Sequence, residues 1–220
     1  MAIVEKSLVS EGLLNEIQRA EVIHDFILKT IPDRIIADTE EKILVVSLFS
    51  LALEHHRAIL HLFKAGPFDG SALALVRPLI DAAYRAHWIY SCATPEIIRR
   101  ISEGRDEIYP RWPNLALEVE KRIGTGGYFA AIVPHIHTLH GYTHGGIEQL
   151  ARRYDTPDGD VKPSYPDAIK IESVKVITAH LTALAIAYCQ VISPDPSGKT
   201  DPCAKAISEF YIPHAKVPDV

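Results

Sequence analysis

The segment HTLHGYTHGG, residues 137 to 146, sets His137, His140 and His144 at helical spacing and then ends in two glycines. On a helix that spacing puts the three imidazoles on one side. Imidazole titrates near neutral pH, moves protons and is the commonest nitrogen ligand of metals. Two other stretches carry complementary groups. In RPLIDAAYRAHW, Arg77, Asp81, Tyr84, Arg85 and Trp88 share a helical face, and in the preceding apolar segment Glu54, Arg57 and His61 stand at i, i+3 and i+7. Guanidinium, carboxylate and imidazole together suit the holding of a phosphate or carboxylate and the movement of a proton beside it. Ionisable groups buried without partners are costly, so polar seams in apolar helices are where chemistry is expected. The candidate ligand-binding set is therefore Arg77, Asp81, Tyr84, His140, His144, Glu54 and Arg57, with His144 and Asp81 as the groups able to act as catalysts. The spacing predicts that His144, with His140, faces Arg77 and Asp81 across a partly open pocket.

Each seam also has a plainer reading. Arg77 and Asp81 at i, i+4 make a common intrahelical ion pair, and charge on the Glu54 stripe solvates a helix face. Histidine beside glycine at a helix end serves as a local cap or donor. His55, His56 and His87 read as ordinary. For metal, His137, His140 and His144 form a weak candidate set. A di-iron bundle needs Glu-x-x-His on two helices, and the chain supplies only Glu21-Val22-Ile23-His24, on a helix expected to face outward. Cys92, Cys189 and Cys203 are odd in number and widely spaced, which indicates neither a disulfide framework nor a structural zinc site. Nucleophile elbow, phosphate-cradling glycine loop and dinucleotide fingerprint are all missing, so no cofactor is implied.

The elements that must position these residues read as helices, with almost nothing at a strand's period of two. Residues 9 to 31 carry Leu13, Leu14, Ile17, Ile23, Phe26 and Ile27 at helical spacing and stop at Pro32. This helix is expected to cover one side of a bundle. From Asp38 to Ala65 an apolar stretch opens with acidic residues and closes before Gly66-Pro67, as a buried central helix should. Residues 71 to 93 form a second inner helix, bent at Pro78. A short helix at 95 to 104, the irregular YPRWPN and a helix near 114 to 123 ended by GTGG suggest a lid or side wall. Pro134 fits the first turn of the histidine helix, and IEQLARRYD resumes helical spacing beyond it. After the loop TPDGDVKPSYP, residues 167 to 193 make the last long helix, followed by SPDPSGKTDP, a short helix and a tail. One domain over residues 1 to 220 is expected, with the core within about 9 to 193 and the helices near 38–65, 70–93, 134–144 and 168–193 forming it.

Composition bounds the function. A chain of 220 residues, 47% hydrophobic and 23% charged, is ordinary globular material. Its 23 basic and 28 acidic residues give a net charge of −5, which disfavours general nucleic-acid binding. The N-terminal run has charges within it and no small-residue cleavage site, so it reads as the start of a helix and cytoplasm is the expected compartment. The most apolar stretches, 43 to 53 and 71 to 80, are too short to span a bilayer, so no membrane is expected. Two inner helices that are apolar nearly all round suggest a homodimer.

SALALVRPLIDAAYRAHWIY, followed some residues later by LHGYTHGG, resembles a group of uncharacterised bacterial all-helical proteins distantly related to the HEPN nucleotide-binding bundles. In that group an Arg-x-x-x-Glu/Asp on one long helix is paired with a Ser/Thr-x-x-His-Gly or His-Gly element on a later one. The matching positions are Arg77 and Asp81, then His144 and Gly145. The resemblance covers roughly residues 40 to 150. It implies an all-α, HEPN-like up-and-down bundle of four or more long helices with short satellite helices, usually self-associating. Nuclease members carry an Arg followed four to six residues later by His on one helix. Arg57 and His61 are too close for this and His144 has no arginine just upstream, so the resemblance does not extend to a ribonuclease motif. A small anionic or nucleotide-like ligand is the expectation. A metal-dependent bundle enzyme, a purely structural or dimerising protein and a diverged HEPN-type ribonuclease are the alternatives.

Overall fold

The computed structural model describes residues 9–31, 37–105, 108–154, 164–192 and 201–215. The expected N-terminal helical start, most of the TPDGDVKPSYP and SPDPSGKTDP loops, and the C-terminal tail lie outside the described residues. The elements are α1 (Glu11–Thr30), α2 (Glu40–Ala65), α3 (Asp69–Ser91), α4 (Pro95–Ser102), α5 (Asn114–Ile123), a 3₁₀ helix (Ala130–His135), α6 (Ile136–Thr143), α7 (Ile147–Tyr154), α8 (Asp167–Ile192) and α9 (Pro202–Ala215). No strand occurs among the described residues, and the protein is all-α.

Local signals account for the helix ends. The Ser10, Thr39 and Thr94 hydroxyls accept from the backbone N–H of Leu13, Lys42 and Ile97, capping α1, α2 and α4. Asp201 Oδ1 accepts from Cys203 and Ala204 at the start of α9. Acidic Glu40 and Glu41 open α2 and Lys64 closes it, which suits the helix dipole.

Helix α3 is the centre. Gly70, Ala72, Leu73, Val76, Leu79, Ile80, Ala82, Ala83, Tyr84, Ala86, His87, Trp88 and Ile89 are all buried, and α3 packs on α2, α5, α6 and α8. Helix α8 is equally committed, with Val174, Ile177, Leu181, Leu184 and Ala185 fully covered. The fourth core helix is α1, which buries Leu13, Ile17, Ala20, Ile23 and Ile27 against α8 and α2. This corrects the expected core. The histidine segment splits into a 3₁₀ turn around Pro134 and the two-turn α6, which buries only Tyr142. Such a short element has too little apolar face to be a core helix, and it docks on the outside of α3 instead.

By length and composition, α2 and α8 are each long and apolar enough to cross a membrane. The apolar character of α2 therefore extends well past residues 43 to 53. In α8 most of the apolar window is buried within the bundle; in α2 only a third of it is.

Candidate functional site

Pro78 explains where α6 seats. Proline carries no N–H, so the Ala74 carbonyl one turn earlier lacks its helical donor. The Thr143 hydroxyl of α6 lies 3.4 Å from that carbonyl, its shorter bond of 3.0 Å going to Leu139 O. One turn into α3 from Ala74 stands Arg77. Its guanidinium donates to Nδ1 of His140, and its Nε lies 3.5 Å from Asp81 Oδ2. Asp81 accepts a further bond of 2.9 Å from Trp112 Nε1. The His144 ring stands against that of His140, with centroids 4.3 Å apart.

Arginine is a donor only, which fixes the His140 tautomer: Nδ1 accepts, so Nε2 carries the proton. Partial desolvation and then the neighbouring Arg77 guanidinium hold the His140 imidazole below its ordinary pKa, with the other two histidines adding and Asp81 opposing. Burial raises the Asp81 carboxyl, against Arg77, Arg85 and the Trp112 bond. The cluster lies at the surface, with Arg77 and Asp81 half-buried and His140 and His144 exposed.

The end of α6 explains the glycines. Gly146 N donates to Gly141 O at 2.7 Å, and Gly145 has φ of 65°, which together close the helix in a Schellman turn. Helix α7 then folds back so that the Glu148 carboxylate covers Gly141. The histidine run is thus a helix end and also a partner of α3. The His-Gly pair that reaches Arg77 is His140-Gly141, with the His144 ring tilted against that of His140, whereas the resemblance matches His144 and Gly145.

Three expectations are corrected. Tyr84 is not a ligand group: it is fully buried, donates to Phe129 O at 2.8 Å and packs on Trp112 and His180. Glu54, Arg57 and His61 do not join the Arg77 cluster. They line a separate cleft of about 610 Å³ with Glu21, His24 and Asp25 of α1. His137 does not complete a metal site with His140 and His144, since no group of three or more His, Cys, Asp or Glu is arranged to hold a metal ion among the described residues.

Sequence reasoning missed a buried chain behind that cleft. Arg57 pairs with Asp25 at 2.7 Å and donates from Nε to His24 Nε2 at 3.3 Å. His24 Nδ1 meets His56 Nδ1 at 3.1 Å, His56 Nε2 meets Thr178 Oγ1 at 3.1 Å, and Thr178 donates to Val174 O at 2.7 Å. The helix carrying Glu21-Val22-Ile23-His24 therefore turns its histidine inward. Burial and then Arg57 lower the His24 pKa to about 4, despite Asp25. Burial, then His24 and Arg57, lower His56 as well. Their partners sit on α1, α2 and α8, far apart in sequence, and no local spacing announces them.

The molecule is thus an all-helical bundle whose surface carries a tethered Arg-Asp-His cluster. Residues 49–211 match the model described as a family of unknown function, DUF6988, and the chain belongs to that family. No curated protein and no solved structure matches it significantly.

Proposed function

We propose that the protein binds a small anionic or nucleotide-like ligand at the Arg77–His140–His144 cluster. The observation that carries this reading is the bond from Arg77 to His140. It leaves His140 Nε2–H as a donor and holds the guanidinium beside two exposed imidazoles, while the nearby Asp81 is already engaged by Arg77 and Trp112. Such donors suit phosphate or carboxylate oxygens. An imidazole held below its ordinary pKa can also take up a proton when an anion arrives. The pairing of RPLID with a later His-Gly element further supports a distant HEPN-like relationship.

Titration with inorganic phosphate and with AMP, followed through the ring resonances of His140 and His144, tests the site. Binding raises the His140 pKa, and Arg77→Met abolishes the response. Resonances that stay unmoved at millimolar ligand overturn the proposal.

We also propose that the protein forms a homodimer through the outward face of α2, where Ile43 and Leu51 are exposed. The expected inner helix α3 offers no such face, because its neighbours cover it.

A further inference from the structure

A second cavity, of about 640 Å³, lies between α3, α5 and α8 on the side of the molecule walled by the loop after α5. One of its wall residues is His87, which is 4% exposed. Among the described residues, neither of its ring nitrogens has a hydrogen-bond partner. Buried polar groups are almost always satisfied, so an orphaned imidazole facing a cavity calls for an occupant. Burial, and then the neighbouring His180, hold this imidazole at a pKa of about 3, so it is neutral at physiological pH. A neutral imidazole offers one N–H and one lone pair, and a hydroxyl is a group that both donates and accepts.

The remaining wall narrows the occupant further. Phe129 meets the His87 ring edge-on, with centroids 4.7 Å apart, and Tyr128 stands across Phe129 at 5.1 Å. Aromatic walls of this kind favour an aromatic ring. Most of the other polar groups have partners within the protein: Thr125 donates to Glu120 at 2.7 Å, Tyr90 to Gln190 Oε1 at 3.4 Å, Ser91 to His87 O at 2.6 Å, and Tyr128 meets His180 at 3.2 Å. Arg122 is the cation of the wall. Its Nε donates to Ser91 O at 2.9 Å, which leaves the terminal nitrogens of an exposed guanidinium for an anion. Among the described residues no Asp or Glu lines the cavity, and nearby Glu120 is bound by Thr125 and by the backbone N–H of Gly127 and Phe129.

We propose that this cavity binds a hydroxyaryl carboxylate, its hydroxyl on the orphaned His87, its ring against Phe129 and Tyr128, and its carboxylate on Arg122. The site is distinct from the Arg77 cluster and stands or falls independently of it.

Calorimetric titration with para-hydroxybenzoate, para-hydroxyphenylacetate and para-hydroxyphenylpropionate tests the proposal across three ring-to-carboxylate spans. Benzoate and phenol serve as probes that each lack one head. At least one of the three binds saturably, shifts the His87 ring nitrogen resonances and outcompetes both truncated probes. His87→Phe weakens that binding about tenfold or more, the size expected for one buried hydrogen bond to a ligand, while melting at or above the wild-type temperature. Arg122→Met brings the affinity down to that of phenol. Three outcomes overturn the proposal: no probe binds at millimolar concentration, the truncated probes bind as well as the full ones, or His87→Phe binds unchanged. If nothing binds and His87→Phe only raises the melting temperature, a buried water alone serves the imidazole. The probe comparisons use the wild-type protein and remain decisive should His87→Phe fail to fold.

Discussion

Because the Arg57 guanidinium can only donate, the buried histidine chain has one direction. His24 Nε2 accepts from it, so His24 carries its proton on Nδ1 and donates that hydrogen bond to His56 Nδ1. His56 must then hold its proton on Nε2, donate to Thr178, and leave Thr178 to donate to Val174 O. Nitrogen-resolved NMR will find the Nδ1–H tautomer at His24 and the Nε2–H tautomer at His56; the opposite pair would refute the directed chain. His56→Leu strands the His24 N–H inside the core and costs about 2 to 4 kcal/mol in a denaturant titration. His24→Phe combined with His56→Leu costs less than the sum of the two, since neither partner is then left unpaired. These contacts were not legible in the sequence, where His56 read as ordinary and His24 as outward-facing. The Arg77–Asp81 pair was legible because four residues on one helix bring two side chains together whatever surrounds them. The pairing of Arg77 with the histidine segment came from a motif resemblance, which placed the right segment but put His144 where His140 stands.

At the scale of elements, sequence periodicity located the long helices to within a few residues, because stop signals such as Gly66-Pro67 and caps such as Thr39 act locally. What it could not weigh was competition among them. Helix α1 has an ordinary amphipathic pattern, and only the bundle shows that its stripe fills the place expected of the histidine helix. The turn joining α6 to α7 gives a test. A methyl on Gly146 would sit 2.9 Å from the Gly141 backbone, whereas at Gly141 the obstacle is the Glu148 carboxylate, the movable end of a flexible side chain. Gly146→Ala therefore destabilises the protein more than Gly141→Ala, and Gly145→Ala, at positive φ, costs about 1 kcal/mol. Equal melting temperatures for the Gly146 and Gly141 variants would show that this turn is looser than drawn. The loop after α5 depends on one carboxylate. Glu120 is held down to about 2, first by the Thr125 hydroxyl and then by the Gly127 backbone. Glu120→Gln loses the charge that draws these donors, and hydrogen exchange at Gly127 and Phe129 will quicken.

At the scale of the whole molecule, two properties follow from what the bundle covers and what it leaves open. The exposed Ile43 and Leu51 of α2 predict association, and sedimentation showing a monomer at every accessible concentration would exclude the dimer. The second property is acid lability. His24 and His180 are buried, and burial holds each at about 4 against an ordinary 6.5, while His87 is held at about 3. Below 6.5 the unfolded chain takes up protons at these rings and the folded chain does not, so stability is fully present above that pH and is lost as pH falls toward 4. A depression of this size corresponds to about 3 kcal/mol for each ring. His24 and His180 together then remove about 6 kcal/mol, comparable with the whole stability of many domains. Glu120 does not add to the fall in this window, because its carboxyl, held at about 2, loses its contribution only below its ordinary 4.5. Urea midpoints will fall steeply between pH 6.5 and 4.5. His180→Phe, which removes one such ring, will flatten the slope in that window, and a midpoint independent of pH there would mean that these histidines are solvated in solution.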